Sequence, residues 1–288
     1  MVQAKYITRI EIDSLWSGRK HIDWKLRPDV NVLSGINGVG KSTILNKSIK
    51  SLQELMRDGE LTNTDPNVHF TFEPANATHI KYDVIRSFDR PLMHAELMEK
   101  LSDKRVTSEL DWQLYQLQRR YLDYQVNIGN RIIELLTTGN PEDAQKAATV
   151  STMKTRFQDM VDELFQETGK KLIRKNNEIL FTQEMNILGS FHGKMQETDT
   201  EEVTPYMLSS GEKQMLVILL TVLVEDQQPY VLFMDEPEIS LHIEWQQRMI
   251  SLIRELNPNV QILLTTHSPA VIMDGWMDAV TEVSDISR

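Results

Sequence analysis

The chain has 288 residues, 40% of them hydrophobic, no cysteine, and a formal net charge of −11. Disulfides, thiolate zinc sites and reactive thiols are therefore excluded, and the acidic balance opposes broad adsorption to nucleic acid. The longest apolar run, Met215 to Val224, falls well short of the ~20 residues of a membrane-spanning helix, so a globular, soluble, cytoplasmic protein with no membrane partner is expected.

From the N-terminus, residues 6–12, 21–26 and 30–33 read as strands, and the third runs into the stretch GINGVGKS. This stretch fits the pattern G-x-x-x-x-G-K-[ST] in its strand-loop-helix setting. Gly35, Gly38 and Gly40 let backbone N–H groups turn inward around an anion where a Cβ would obstruct the approach. The loop Gly35, Asn37, Gly38, Val39 and Gly40, with Lys41, Ser42 and Thr43 at the helix start, is a nest for phosphates, reinforced by the positive end of the helix dipole. Lys41 is expected to reach the β- and γ-phosphates and the Ser42 hydroxyl to ligate magnesium, Mg2+. A nucleoside triphosphate is the expected guest.

Residues 78–88 read as a further strand, and from Pro91 the period changes. Leu110, Leu114, Leu117, Tyr121, Tyr124, Ile128, Ile132 and Leu135 form a near-heptad seam on a helix of about eight turns. After Gly139, Asn140-Pro141-Glu142-Asp143 supplies a cap, a proline at the first helical position and acids in the first turn. A second helix follows, with Ala147, Val150, Met153, Phe157, Met160 and Leu164 facing inward, and the two form a short antiparallel arm. Asn176-Asn177 predicts a tight hairpin turn with positive φ between residues 171–175 and 178–182. Lys170, Lys171, Arg174 and Lys175 form the one dense basic cluster, read as a solvated hairpin edge or as a contact for nucleic acid. Residues 196–203 read as a polar linker.

Ser209, Ser210, Gly211 and Glu212 precede the apolar helix beginning at Met215, and read either as a helix cap or as a second anion-binding helix start. Residues 230–234 form a buried-strand run ending in Asp235-Glu236-Pro237-Glu238. The carboxylates thus emerge at a strand's C-terminal end, where α/β folds place ligands. Asp235 is expected to hold Mg2+, and Glu236 to polarise a water for in-line attack on the γ-phosphate. Residues 260–265 read as another strand with His267 at its end. Trp16 and Trp24 are each candidates to stack on a base or to fill the core.

In this order the pieces resemble the ATP-binding cassette (ABC) ATPase superfamily: a Walker A loop, a signature motif LSSGE, a Walker B strand with its glutamate, a D-loop ISLH containing Ser240, and the switch histidine His267. The wording DEPEISLHIEWQ and TTHSP is similar to the RecF-like and OLD-like branch, which includes small AAA-type ATPases of phage-defence modules. The resemblance spans residues 1–90 and 171–288 as an ABC-type ATPase head, with residues 91–170 as a helical insertion. It implies an α/β fold, a P-loop NTPase head with a mixed β-sheet core, N-terminal antiparallel strands and a short helical-hairpin insertion. It implies ATP and Mg2+ as ligands, ATP hydrolysis, and a homodimer that sandwiches ATP head to tail. Lys41, Ser42, Asp235, Glu236 and His267 would act from one subunit, with Ser209, Gly211 and the Ser240 loop from the other. The sequence departs from the pattern after the strand at 78–88, where Ile85-Arg86-Ser87-Phe88 stands in place of a Q-loop glutamine. The implied role is a switch acting on a separate effector, a nuclease, toxin or similar, in bacterial anti-phage defence. Two alternatives stand beside it. One is a RecF- or SMC-like DNA-maintenance ATPase that clamps DNA, which the basic cluster keeps open. The other is a transporter's nucleotide-binding subunit, for which no coupling surface is found.

Overall fold

The computed structural model describes residues 2–16, 18, 20–56, 61, 67–86, 106–184 and 200–288. The chain divides into two compact units, one made of Met1–Ser87 and Gln227–Arg288 and the other of Phe88–Asp226. In chain order the strands are β1 (Tyr6–Leu15), β2 (Lys20–Lys25), β3 (Val30–Ser34), β4 (Val68–Glu73), β5 (Tyr82–Arg86), β6 (Lys170–Leu172), β7 (Phe181–Glu184), β8 (Thr200–Val203), β9 (Tyr230–Asp235), β10 (Val260–Thr265) and β11 (Val280–Glu282). The longer helices are α1 (Lys41–Leu55), α2 (Glu109–Thr137), α3 (Pro141–Thr149), α4 (Thr152–Leu164), α5 (Ser210–Val224) and α6 (Ile243–Leu256).

The first unit holds a parallel sheet in the order β11-β3-β10-β9-β5 and an antiparallel sheet in the order β2-β1-β4. β10 is buried along its whole length and β9 along all but its last residue, which is why both read as unbroken apolar runs rather than alternating ones. β1 is half-buried instead, and Ile7, Ile10, Ile12 and Leu15 turn into a core shared with Trp24, Leu33, Phe233 and the inner face of α1, Ile44, Leu45, Ile49 and Leu52. The fully buried Gln261 on β10 joins the sheets. Its Oε1 accepts from the Ile7 N–H at 2.8 Å, and its Nε2 donates to the carbonyls of Ile7 and Arg27, both at 2.7 Å. An amide in a core is tolerable because each of its polar atoms is satisfied in this way. The register then fixes the site: Thr265 pairs with both Leu33 and Asp235, so β3, β10 and β9 end level with one another. The strand expected over residues 78–88 begins at Tyr82, and residues 87 and 88 lie outside the described residues.

In the second unit α2 opens with a capping box in which Ser108 Oγ accepts from the Asp111 N–H and Asp111 returns a bond to the Ser108 N–H. Leu110, Leu114, Leu117, Tyr121, Tyr124 and Ile128 form its buried seam, while Ile132 and Leu135, the last two positions of the expected seam, are only half-buried. The second arm helix, expected to be continuous, is two helices, α3 and α4, with Val150 and Ser151 between them. The break falls in Thr149-Val150-Ser151-Thr152, where β-branched and hydroxyl side chains lower helix propensity. The hairpin also differs from expectation. β6 and β7 pair with Leu172 opposite Phe181, and neither Asn176 nor Asn177 has a positive φ. The loop is held open by α2: Gln118 Oε1 accepts from the Ile179 N–H at 2.9 Å, and Gln125 Nε2 donates to the Asn177 carbonyl at 2.6 Å. Pro91, where the period changes, and residues 196–199 of the expected linker lie outside the described residues.

Candidate functional site

Strand β3 ends at Ser34, and the chain turns through Gly35, Gly38 and Gly40 at φ 148°, 78° and 104° before entering α1. These are left-handed values that favour glycine. A Cβ at Gly40 would meet Trp16 ring atoms at 2.4 Å, and one at Gly35 would meet Val39 Cγ1 at 2.9 Å. Gly40 caps α1 without any side-chain hydrogen bond, which leaves the first N–H groups of the helix to an anion.

Lys41 is 4% exposed, and its Nζ donates to the Gly35 carbonyl at 2.8 Å and lies 3.4 Å from Nδ1 of His267. Burial pushes its ammonium below the ordinary lysine range, a shift partly offset by the carboxylates of Glu236, Asp235 and Glu238. On the far side of the imidazole, His267 Nε2 is 3.0 Å from Glu236 Oε1. Lys41, His267 and Glu236 therefore form one continuous polar chain across the ends of β3, β10 and β9. Glu236 itself has φ 49°, an uncommon conformation for a residue with a side chain, and its N–H donates to both the carbonyl and the Oγ1 of Thr265, each at 3.1 Å. The Thr265 hydroxyl donates to Asp235 Oδ1 at 2.6 Å. Ser42 and Asp235 offer the hard oxygen donors that Mg2+ takes beside phosphate oxygens and water, so the residues fit that ion. Trp24 is fully buried in the core and is removed from base stacking, whereas Trp16 is 40% exposed, lies against Gly40 and has Lys20 Nζ 5.6 Å from its ring centroid.

The signature residues lie in the second unit, at the start of α5. Ser209 is the N-cap, and its N–H and hydroxyl both donate to Glu212 Oε2 at 2.9 Å, so the capping reading holds in detail. Ser209 and Ser210 are exposed and Gly211 half-buried. Glu212 is 2% exposed, its other oxygen taken by Lys170 Nζ at 2.9 Å and the Thr168 hydroxyl at 2.7 Å. The next residue, Lys213, is 2.8 Å from the buried Asp111 at the head of α2. Burial pushes both carboxyls up, but Lys213 with the Thr107 donors, and Lys170 with those of Thr168 and Ser209, outweigh it and hold Asp111 and Glu212 below their ordinary values. Two members of the basic cluster are thus paired inside the unit, Lys170 with Glu212 and Arg174 with Asp159 and Asp162, while Lys171 and Lys175 are exposed.

Ser240 is half-buried between the exposed Ile239 and the buried Leu241. Sequence reasoning missed Thr265, Glu238 and Gln246. The polar pair Thr265-Thr266 ending an apolar strand, and the third acid of Asp235-Glu236-Pro237-Glu238, were the signals that could have found the first two.

The family described as "AAA domain, putative AbiEii toxin, Type IV TA system" matches residues 94–274, a span that takes in the signature turn, the carboxylates at the end of β9 and His267 and begins after the phosphate loop. The Septu protein PtuA of Bacillus thuringiensis is 24% identical over 92% of this chain and 72% of its own length. The Retron Vc95 probable ATPase of Vibrio cholerae serotype O1 biovar El Tor is 29% identical over 30% of this chain and 19% of its own. Among solved structures, the Smc head domain of Pyrococcus furiosus aligns with 93% of this chain and 91% of its own at 13% identity and a TM-score of 0.44.

Proposed function

The chain belongs to that AAA-domain family and is an ATPase of the ABC-like, defence-associated kind, and on this premise we propose that it is a nucleotide-driven switch. Two copies close head to tail over ATP, and the difference between the closed and the hydrolysed assembly is read by a separate effector in anti-phage defence. The observation that carries the reading is the Lys41–His267–Glu236 chain across the mouth of the phosphate loop.

In this reading the γ-phosphate takes the place of the Gly35 and Ile36 carbonyls as partner of the Lys41 ammonium. Glu236 accepts a proton from the attacking water, and His267, within hydrogen-bond reach of Glu236, orients it. Ser42 and Asp235 hold Mg2+, which offsets charge on the phosphate oxygens. The exposed Ser209 and Ser210, with Gly211, offer a second helix start for the γ-phosphate held by another copy. Support for the dimer comes from apolar side chains beside the phosphate loop and the D-loop: Ile36 is 80% exposed, Ile239 49% and Ile243 52%.

The test is light scattering of Glu236→Gln with and without Mg-ATP, together with its ATPase rate. Removing the base while keeping the loop should lower kcat by about a hundredfold or more and trap an assembly of doubled mass. Hydrolysis at the parental rate would remove Glu236 from its role, and an unchanged mass would remove the ATP-closed dimer.

A further inference from the structure

Three carboxylates stand at the C-terminal end of β9, of which Asp235 and Glu236 have proposed roles in ATP hydrolysis. The third, Glu238, is 5% exposed, and its Oε1 accepts from the Thr266 hydroxyl, from the His267 N–H at 2.9 Å and from the Ser268 N–H at 3.3 Å. Burial disfavours a carboxylate unless donors satisfy it; the three donors to Oε1 all come from the loop that carries His267, while Oε2 is buried with no hydrogen-bond partner among the described residues. Gln246 on α6 makes the complementary link. Its Nε2 donates to the carbonyl of Leu241 at 2.9 Å and to that of Glu238 at 3.3 Å, while its Oε1 accepts from the Ser268 hydroxyl at 2.6 Å. Residues 238–241, which include Ser240, and residues 266–268 are thus clasped together by side chains beyond the last ladder pair of β9 and β10, Asp235 with Thr265.

We propose that Glu238 is a positioning residue that locks the His267 loop to the Ser240 loop, so that a contact made at Ser240 sets the place of His267 against Glu236. The proposal rests on the ATP-closed dimer proposed above, with the Ser240 loop reaching the second copy as the resemblance implies. Displacing residues 238–241 moves the oxygen to which the backbone of residues 267 and 268 is bonded, and His267 follows. Because all three bonds fall on one oxygen, the role needs an acceptor and not a charge. An amide keeps it and a methyl group does not.

The experiment compares Glu238→Ala and Glu238→Gln with the parental chain, in steady-state ATP hydrolysis and in binding of a fluorescent ATP analogue. Glu238→Ala should lower kcat by about tenfold with KM and analogue affinity moved less than about threefold, and Glu238→Gln should stay within about threefold of parental kcat. Equal losses in both variants would mean that the charge matters and would overturn the proposal, as would parental turnover in Glu238→Ala. Should Glu238→Ala fail to fold, Gln246→Ala and Ser268→Ala read the same clasp. Each should lower kcat and the double variant should be no worse than the poorer single, whereas additive losses overturn the link. A parental chain that binds the analogue and hydrolyses no ATP would sink the ATPase reading instead, which keeps the two failures apart.

Discussion

At Gly40 a side chain has nowhere to go. The backbone sits at φ 104°, and the indole of Trp16 occupies the space a Cβ would need. Gly40→Ala should therefore be destabilised by about 1–3 kcal/mol from the backbone alone and should lose nucleotide affinity as the loop shifts. Adding Trp16→Ala relieves the clash but not the strain, so the double variant should recover part of the affinity in an equilibrium titration with Mg-ATP. No recovery would mean that φ alone decides the loop. The glycines were legible in the sequence because a phosphate nest constrains them locally. The contact with Trp16 was not, because it joins positions brought together only by the turn after β1, and indole is as common in cores as at ligands. Trp24 took the core alternative for the same reason: β2 points it inward.

Among the elements, α5 is where energy and function meet. It is almost entirely apolar after Gln214, and its first turn carries two ions whose partners come from other elements, Lys213 with Asp111 of α2 and Glu212 with Lys170 of β6. Lys213→Met leaves the Asp111 carboxylate buried without its cation and should cost about 3–5 kcal/mol in urea unfolding. The pH dependence follows from the sign of the shifts. Both carboxyls titrate below their ordinary values of 3.8 and 4.5, so their contribution is present above those values and is lost as pH falls through the lower folded ones. The parental chain should lose stability on acidification below about pH 4.5, and Asp111→Asn should flatten that acid limb; an acid limb of unchanged slope would show that the pair contributes nothing. The sequence announced the α5 cap, since Ser-x-x-Glu before an apolar run is a local signal. It did not announce the ion pairs, which join residues far apart in the chain. The break between α3 and α4 is a weak local effect that the inward-facing pattern on both sides concealed, and the open hairpin is set by Gln118 and Gln125, which no reading of residues 171–182 includes.

For the whole molecule the decisive question is assembly. If the exposed helix start at Ser209 grips a phosphate held by another copy, Ser209→Arg should bind Mg-ATP with parental affinity and yet fail to double its mass in light scattering. ATP-dependent dimers persisting in that variant would remove the composite site. Among the described residues no helix is long and apolar enough to cross a membrane.

The phosphate loop, the strands that carry it, the acids and histidine at their ends and the capped start of α5 were all legible in the residues, because each is written within a few neighbouring positions whose φ, period or capping chemistry is local. Tertiary structure alone decided that β3, β10 and β9 end level with one another, that His267 stands between Lys41 and Glu236, that Glu212 and Lys213 are anchored rather than exposed, and that Glu238 holds the switch loop. These are meetings between residues distant in the chain. They are fixed by strand register and by the need to satisfy each buried polar group, which no single segment expresses by itself.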